Sequence, residues 1–239
     1  MKSTSALLIL ALSSTASHAA SIFSADHGDF GIAYDGGALD LHYHLGPDAI
    51  LDGIPVGNDP DGAEFAPDAI LTLVAEPPAS RPAGAAWDFL GSPASAPIWF
   101  LPQSEDPQKP FFGIGSEELN PADWSSLSLR LTAMSAPASG NFSLYQTNGF
   151  GTPIVQITTA NGIDGSDSFN LSIGGHAHHN WAFTTPGRYD LSFTASGVHL
   201  TDGPVSGSGT YSFIVVPEPA AASLSLATSA LLLFRRRRN

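Results

Sequence analysis

Glycine and proline interrupt the apolar pattern of this chain too often for a long amphipathic helix. The 239 residues include 24 glycines and 19 prolines. Between them lie short runs in which apolar and polar residues alternate, and no central segment keeps apolar residues at the helical spacing. This pattern predicts an all-β fold.

The alternating runs predict a series of short strands in one domain. Asp29–Tyr34 and Ala38–Leu45 flank Asp35-Gly36-Gly37, a hairpin with glycine in its turn. Proline is too dense between Pro77 and Pro97 for a central strand, so we expect an irregular connection there. We predict that residues 20–216 form a single antiparallel β-sandwich, immunoglobulin-like or jelly-roll-like. The other predicted strands are Ala69–Ala75, Ile98–Leu101, Leu127–Ala133, Gly140–Gln146, Val155–Thr159, Ser168–Ile173, His178–Thr184, Gly187–Val198 and Gly209–Val216.

Net charge and the absence of cysteine exclude several classes of function. The formal net charge is -13, and the chain has no cysteine. An acidic protein repels phosphate backbones and attracts cations, so we exclude nucleic acid as a partner. Disulfides, thiolate metal sites and cysteine nucleophiles are also excluded. Any metal site must therefore use His, Asp and Glu.

The N-terminus predicts a secretory signal peptide at residues 1–19. Lys2 provides the positive start, Ala6–Leu12 the apolar segment, and Ser17-His18-Ala19 the cleavage site. The apolar segment is far shorter than the roughly 20 residues that span a bilayer, which argues against a retained anchor. We expect an exported protein that begins near Ala20.

Residues 217–239 are predicted to form a second targeting signal. The motif Pro217-Glu218-Pro219 precedes an uncharged apolar stretch, for which we predict a transmembrane helix at 220–234. Four arginines follow and place the domain outside the cytoplasm, because positive charge stays on the cytoplasmic side. They are Arg235, Arg236, Arg237 and Arg238.

This order of motif, apolar helix and basic cluster resembles the PEP-CTERM sorting signal. Proteins with that signal are exported by Gram-negative bacteria and processed by a membrane enzyme called exosortase. The resemblance implies an exosortase-type partner, transient anchoring in the inner membrane, and a final location at the cell surface or in the extracellular matrix. An ordinary tail anchor is the alternative, and it also places the domain outside.

Histidines recur at the spacing of one strand face. Residues two apart on a strand lie on the same side, with Cα atoms roughly 6.6 Å apart, so two imidazoles can reach one ion. His42 and His44 have this spacing, and so do His176 and His178. His179 would point the opposite way and is the weakest candidate. Leu39, Leu41, Tyr43 and Leu45 form the apolar face opposite the first pair, which shares its own face with Asp40.

Together with His27, the two pairs exceed what one tetrahedral ion needs. Imidazoles without thiolates suit zinc, copper, nickel or iron better than calcium or magnesium. We therefore predict one transition-metal site, most simply for zinc, with an oxygen ligand such as Asp29 or an open position completing it. The alternative is that these are exposed histidines that never meet. The predicted ligands are His27, His42, His44, His176 and His178.

The segment from Gly175 to Thr184, GHAHHNWAFT, resembles the hallmark of the choice-of-anchor M domain. That family is known from actinobacterial cell-wall proteins associated with metal ABC transporters. The resemblance implies binding of a metal or metal complex, with a metal-uptake system as partner, although this chain has a PEP-CTERM end in place of a wall-sorting motif. Further matching segments are Pro186-Gly187, Tyr189, His27-Gly28-Asp29, Gly36-Gly37 with Leu39 and Leu41, Asp88–Gly91, Ile98–Gln103, Gly113–Gly115, Asp202-Gly203 and Tyr211–Phe213.

The family pattern His-x-His-x-Asn-Trp corresponds to His176, His178, Asn180 and Trp181, and its opening His-x-Asp to His27 and Asp29. Ligated histidines usually give their other ring N–H to an acceptor. We expect Asn180 and Asp29 to serve as those acceptors.

The sequence thus predicts an exported surface protein that binds a transition metal and is not an enzyme. Nucleophile-elbow, His-Glu-x-x-His, phosphate-loop and dinucleotide motifs do not occur. Two alternatives stay open. One is a structural or adhesive module that contacts exopolysaccharide, with incidental histidines. The other is a zinc hydrolase, which needs an open coordination position and a carboxylate base.

Overall fold

The computed structural model describes residues 19–57, 59–75 and 78–217. Most of the predicted signal peptide and sorting signal lies outside the described residues, including the predicted helix at 220–234, Glu218, Pro219 and the four arginines. Within the described ranges, no helix is long and apolar enough to cross a membrane.

Strands make up most of the described chain, so the all-β prediction is confirmed. The helices found there are short 3₁₀ segments, Pro67–Ala69, Ala85–Leu90 and Pro121–Asp123. The strands are β1 (Ser21–Asp35), β2 (Ala38–Leu45), β3 (Ile50–Leu51), β4 (Ile54–Pro55), β5 (Ala63–Phe65), β6 (Ile70–Val74), β7 (Ala79–Ser80), β8 (Pro97–Leu101), β9 (Pro110–Gly115), β10 (Trp124–Ser135), β11 (Phe142–Thr147), β12 (Pro153–Thr158), β13 (Ser168–Asn170), β14 (His176–His178), β15 (Asn180–Phe183), β16 (Gly187–His199) and β17 (Gly203–Val215).

The strands form one large and one small sheet. The 12-stranded sheet has the order β13-β10-β16-β17-β6-β1-β2-β5, with β9 and β14 extending from β1 and with β3 and β4 at its side. The 5-stranded sheet has the order β12-β11-β15-β8-β7. The predicted hairpin of β1 and β2 is present, with Asp35 opposite Ala38.

The prediction of a purely antiparallel sandwich needs correction, because the large sheet is mixed. β6 runs parallel to both β1 and β17, and β9 runs parallel to β1. The cause lies in β1, which changes partners along its length: Ser21–Phe23 pair with β6, whereas Gly28–Asp35 pair with β2. Asp26 marks the change with a φ of 67°. Parallel neighbours need long crossovers, and the chain forms β2 to β8 between the parallel strands β1 and β9.

A second correction concerns the segment predicted as one strand from His178 to Thr184. β14 pairs with β9 in the large sheet, and β15 pairs with β8 and β11 in the small one. The chain thus changes sheets at His179. Asn180 therefore does not continue the face of His176 and His178.

Alternation along β1, β2 and β9 separates a core face from a polar face. Phe30 stacks on Tyr211 with ring centroids 4.1 Å apart. Trp181 is fully buried, and its indole N–H donates to the carbonyl of Phe112 at 2.9 Å. Burial of these aromatic rings holds the three strands against β15 and β17. The residues between the core positions therefore lie together on the opposite face.

Candidate metal centre

The polar face of β1, β2, β9 and β14 carries all five histidines predicted as ligands. His27 and Asp29 lie on β1, and His176 and His178 lie on β14, with β9 between the two strands. His42 and His44 lie on β2, where they pair with Gly31 and Asp29 of β1. One sheet face therefore brings together histidines from distant segments of the chain, as the two-residue spacing of each pair predicted.

The histidines form two groups. The first, called here the His176 group, consists of His27, Asp29, His176 and His178, and the second, the His42 group, of His42, His44 and Glu118. Within each group, one ligand atom per residue lies within 4.8 Å of the others. Such groups can hold a metal ion. The five histidines predicted as ligands of one ion therefore fall into two separate groups.

Three donor atoms of the His176 group converge almost to contact. Nε2 of His176 lies 2.8 Å from Nε2 of His178 and 3.0 Å from Oδ1 of Asp29. One Nε2 cannot donate to a carboxylate and accept from an imidazole at once. Asp29 Oδ1 is buried, and despite its short distance to His176 it has no aligned hydrogen bond among the described residues. A cation placed among them would take a lone pair from each of the three atoms.

A glycine makes this convergence possible. Gly113 of β9 lies beneath the three donor atoms, because β9 separates β1 from β14. A Cβ at position 113 would lie 2.1 Å from Asp29 Oδ1, 2.8 Å from His176 Nε2 and 3.0 Å from His178 Cε1. The space that another residue would fill is thus taken by the donors. Only glycine fits under them.

Neighbouring groups orient the imidazoles. Glu117 Oε1 lies 3.3 Å from Nδ1 of His176, which leaves Nε2 of that ring for the ion. His178 stacks on Phe111 with centroids 3.4 Å apart and an angle of 3° between the rings. The ring centroid of His27 lies 5.3 Å from the ring centroids of His176 and of His178. Nε2 of His27 lies 3.5 Å from Asp29 Oδ2.

The two histidines of β14 have opposite pKa shifts. The contact with Asp29 raises the pKa of His176 above its usual value, against the effect of burial, and Glu117 acts in the same direction as Asp29. Burial lowers the pKa of His178 to about 4. His178 is therefore neutral near pH 7, which is the state in which imidazole binds a metal.

Asn180 and His179 lie outside both groups. Asn180 donates through Nδ2 to Gln103 Oε1 at 2.8 Å, and its Oδ1 accepts from the Gln103 backbone N–H at 3.0 Å. The predicted acceptor for an imidazole is thus bound to Gln103. His179 is buried, and burial lowers its pKa to about 4. Asp29, expected as an acceptor beside the ligands, lies among the donor atoms themselves.

Glu117 and Glu118 are the site residues that the sequence analysis missed. Their signal is the strand that precedes them, which alternates Gly113 and Gly115 with the buried residues Phe112 and Ile114. Two glycines on one strand face leave room for side chains from neighbouring strands. Two acidic residues directly after such a strand indicate that their side chains lie near the same sheet face.

No family model, no curated protein and no solved structure matches this chain. The function is therefore inferred from the geometry of the two groups and from the sequence.

Proposed function

We propose that the protein binds a divalent transition-metal ion, zinc in the first instance, through His27, Asp29, His176 and His178. Three imidazoles and one carboxylate form a tetrahedral set of the kind that zinc prefers. Calcium and magnesium favour shells of oxygen ligands, so this donor set discriminates against them.

The convergence of Asp29 Oδ1 and the two Nε2 atoms is the observation that carries this proposal. Ligands at 2.0–2.1 Å from zinc, at tetrahedral angles, lie about 3.3 Å apart. The observed separations are 2.8 and 3.0 Å. Outward shifts of a few tenths of an ångström therefore admit the ion. Asp29 Oδ1 is also buried without an aligned hydrogen bond among the described residues, and a bound cation would compensate its charge.

We further propose that this site acts outside the cytoplasm, at the cell surface. This location rests on the sequence alone, on the signal peptide and on the PEP-CTERM-like terminus with its exosortase-type partner. The domain then binds the ion, or a complex of it, where external metal arrives, in support of a metal-uptake system. No catalytic step is part of the proposal.

Metal content tests the proposal directly. The full chain, purified in detergent, stripped with a chelator and dialysed against zinc, is expected to retain at least one equivalent. His176→Ala combined with His178→Ala is expected to remove one equivalent, as measured by elemental analysis. His199→Gln is the matched control, because His199 stacks on Tyr34 and contacts Asp202, away from both groups.

Two results would contradict metal binding at the His176 group. One is a wild-type protein that retains no metal and shows no thermal shift with zinc, copper, nickel or cobalt. The other is a double variant that retains as much metal as the wild type while His199→Gln behaves like the wild type.

A second candidate function, contact with exopolysaccharide, is favoured by a hydroxyl-rich face on β10, β16 and β17. The Ser192 and Thr210 hydroxyls lie 2.9 Å apart, and those of Thr194 and Ser208 lie 2.7 Å apart. Hydroxyls can both donate to and accept from the hydroxyls of a sugar polymer. The face includes Ser126, Ser128, Thr132, Ser192, Thr194, Ser196, Ser206, Ser208 and Thr210.

Polysaccharide pull-down in the presence of a chelator separates the two functions. Binding that survives both chelation and the His176/His178 double variant supports the adhesive function. Thr194→Lys with Ser208→Lys should then reduce it, and unchanged binding by that variant would argue against this face.

A further inference from the structure

The His42 group differs from an ordinary pair of strand histidines. His42 and His44 project from β2 on the same side as Asp29 and Gly31 of β1, with which they pair. Glu118 reaches them from the loop after β9. Exposed His-x-His pairs are common, so the burial and hydrogen bonding of these side chains decide whether they form a site.

His42 is a buried imidazole without hydrogen bonds. The residue is 4% exposed, and neither ring nitrogen has a hydrogen-bond partner among the described residues. Nε2 lies 3.0 Å from Oε1 of Glu118, but the two are not aligned as an N–H···O bond, and Nδ1 lies 3.5 Å from Oδ2 of Asp40. A buried polar group normally has a hydrogen bond, and the ring of His42 is an exception among the described residues.

The imidazole of His42 packs against the backbone of β1. The ring lies directly over Gly31, where a Cβ would come within 2.2 Å of Nε2. Any other residue at position 31 would displace the ring. The backbone of β1 thus has room for an imidazole at this point, as the backbone of β9 has for the donors of the His176 group.

The tautomer of His44 is fixed by the backbone. Its Nε2 lies 2.6 Å from the carbonyl oxygen of Asp61, which can only accept, so Nε2 carries the proton. In the neutral ring Nδ1 then has a free lone pair. A backbone carbonyl that holds the other ring nitrogen is the usual support of a ligated histidine.

We propose that His42, His44 and Glu118 form a second site for a divalent transition-metal ion, separate from the His176 group. Two imidazoles and one carboxylate are the protein ligands of many zinc and iron sites that keep open positions. Glu118 is 37% exposed, so water or an anionic ligand has access to the ion. The ion provides the partner that the buried ring of His42 lacks.

One groove touches both groups. His27, Asp29 and His176 line it together with His44 and Glu117. Glu117 contacts His176, and the next residue, Glu118, contacts His42. Adjacent strands lie about 4.8 Å apart, and Asp29 pairs directly with His44. The ions of the two sites are therefore neighbours, and one loop contributes to both.

Zinc stoichiometry of the full chain in detergent tests the second site. Titration calorimetry with ZnCl₂, checked by elemental analysis, is expected to give two equivalents for the wild type. His44→Gln combined with Glu118→Gln should leave one equivalent, and so should His176→Ala with His178→Ala. His44 and Glu118 are partly exposed, so their replacement preserves the core, which circular dichroism verifies.

The outcomes separate this proposal from the first. If the wild type binds one equivalent that only the His176/His178 variant abolishes, the second site does not exist and the first stands. If either variant abolishes a single equivalent, one shared site replaces both. Two equivalents with only the His44/Glu118 variant losing one would support the second site and overturn the first. No binding by any form overturns both.

Discussion

The two histidine groups lie on neighbouring strands of one sheet, yet they bury opposite kinds of donor. In the His176 group the most buried donor is Asp29, which is 5% exposed, and histidines surround it. In the His42 group the most buried donor is the imidazole of His42, and the carboxylate of Glu118 is the exposed one. A buried carboxylate requires a cation more strongly than a buried neutral ring does.

The number of donor residues also differs, with four in the His176 group and three in the His42 group. Four protein donors close a tetrahedral site, whereas three leave a position for an exchangeable ligand. If both groups bind metal as proposed, the comparison predicts a tightly held ion in the His176 group and a more accessible ion in the His42 group. Three experiments test this difference between the groups.

Gly113→Ala should have the largest effect. Its methyl group would occupy the space of Asp29 Oδ1 and His176 Nε2, so zinc affinity of the His176 group should fall at least about 100-fold, the upper end of losses from changes outside the ligand shell. Competition with a chromophoric chelator measures the loss. The His42 group should keep its ion.

Gly115→Ala is the matched control, on the same strand and the same face. The nearest atoms to its methyl group would be the flexible end of Glu117 at 3.1 Å and Cβ and Cγ of Asp29 at 3.8 and 3.9 Å. Equal affinities of the two variants would show that the donors do not converge over Gly113.

Glu117→Gln should have an intermediate effect. The amide keeps the shape but loses the charge that orients His176 through Nδ1, so affinity of the His176 group should fall about 10-fold with unchanged stoichiometry. Glu118→Gln, the adjacent substitution, should act on the His42 group instead. A loss in the same group from both variants would refute the assignment of these two residues to different groups.

Mild acid should have the smallest effect. In chelator-treated protein, histidine NMR signals should show His176 protonating above pH 6.5 and His178 only near pH 4, because the pKa of His176 is raised and that of His178 is lowered to about 4. As pH falls, zinc then competes first with a proton on His176, so its affinity in the His176 group declines while His178 is still neutral. Similar midpoints for the two rings would contradict the proposed environments.

The sequence predicted which face of a strand each side chain occupies better than it predicted which strands are neighbours in the sheet. Alternation along Ala38–Leu45 correctly assigned Leu41 and Tyr43 to the core face and His42 and His44 to the other. The same two-residue spacing brought His176 and His178 together. These predictions succeed because side-chain direction along one strand depends on local geometry alone.

Strand order depends on long-range contacts and was not predictable in the same way. β9 was missed because Phe111, Gly113 and Gly115 alternate with buried residues but are not polar. Its insertion between β1 and β14 places His176 and His178 against Asp29 and away from His42. The division into two groups follows from that insertion.

The passage of the chain from β14 to β15 at His179 has a mechanical consequence. His176 and His178 face Asp29 in the large sheet, and only two residues later Asn180 is hydrogen-bonded within the small sheet. An ion bound by residues of β1 and β14 would cross-link these two strands close to the point where the chain passes between the sheets. Pulling the sheets apart would then strain coordination bonds, so the resistance of the domain to mechanical unfolding would depend on the supply of zinc.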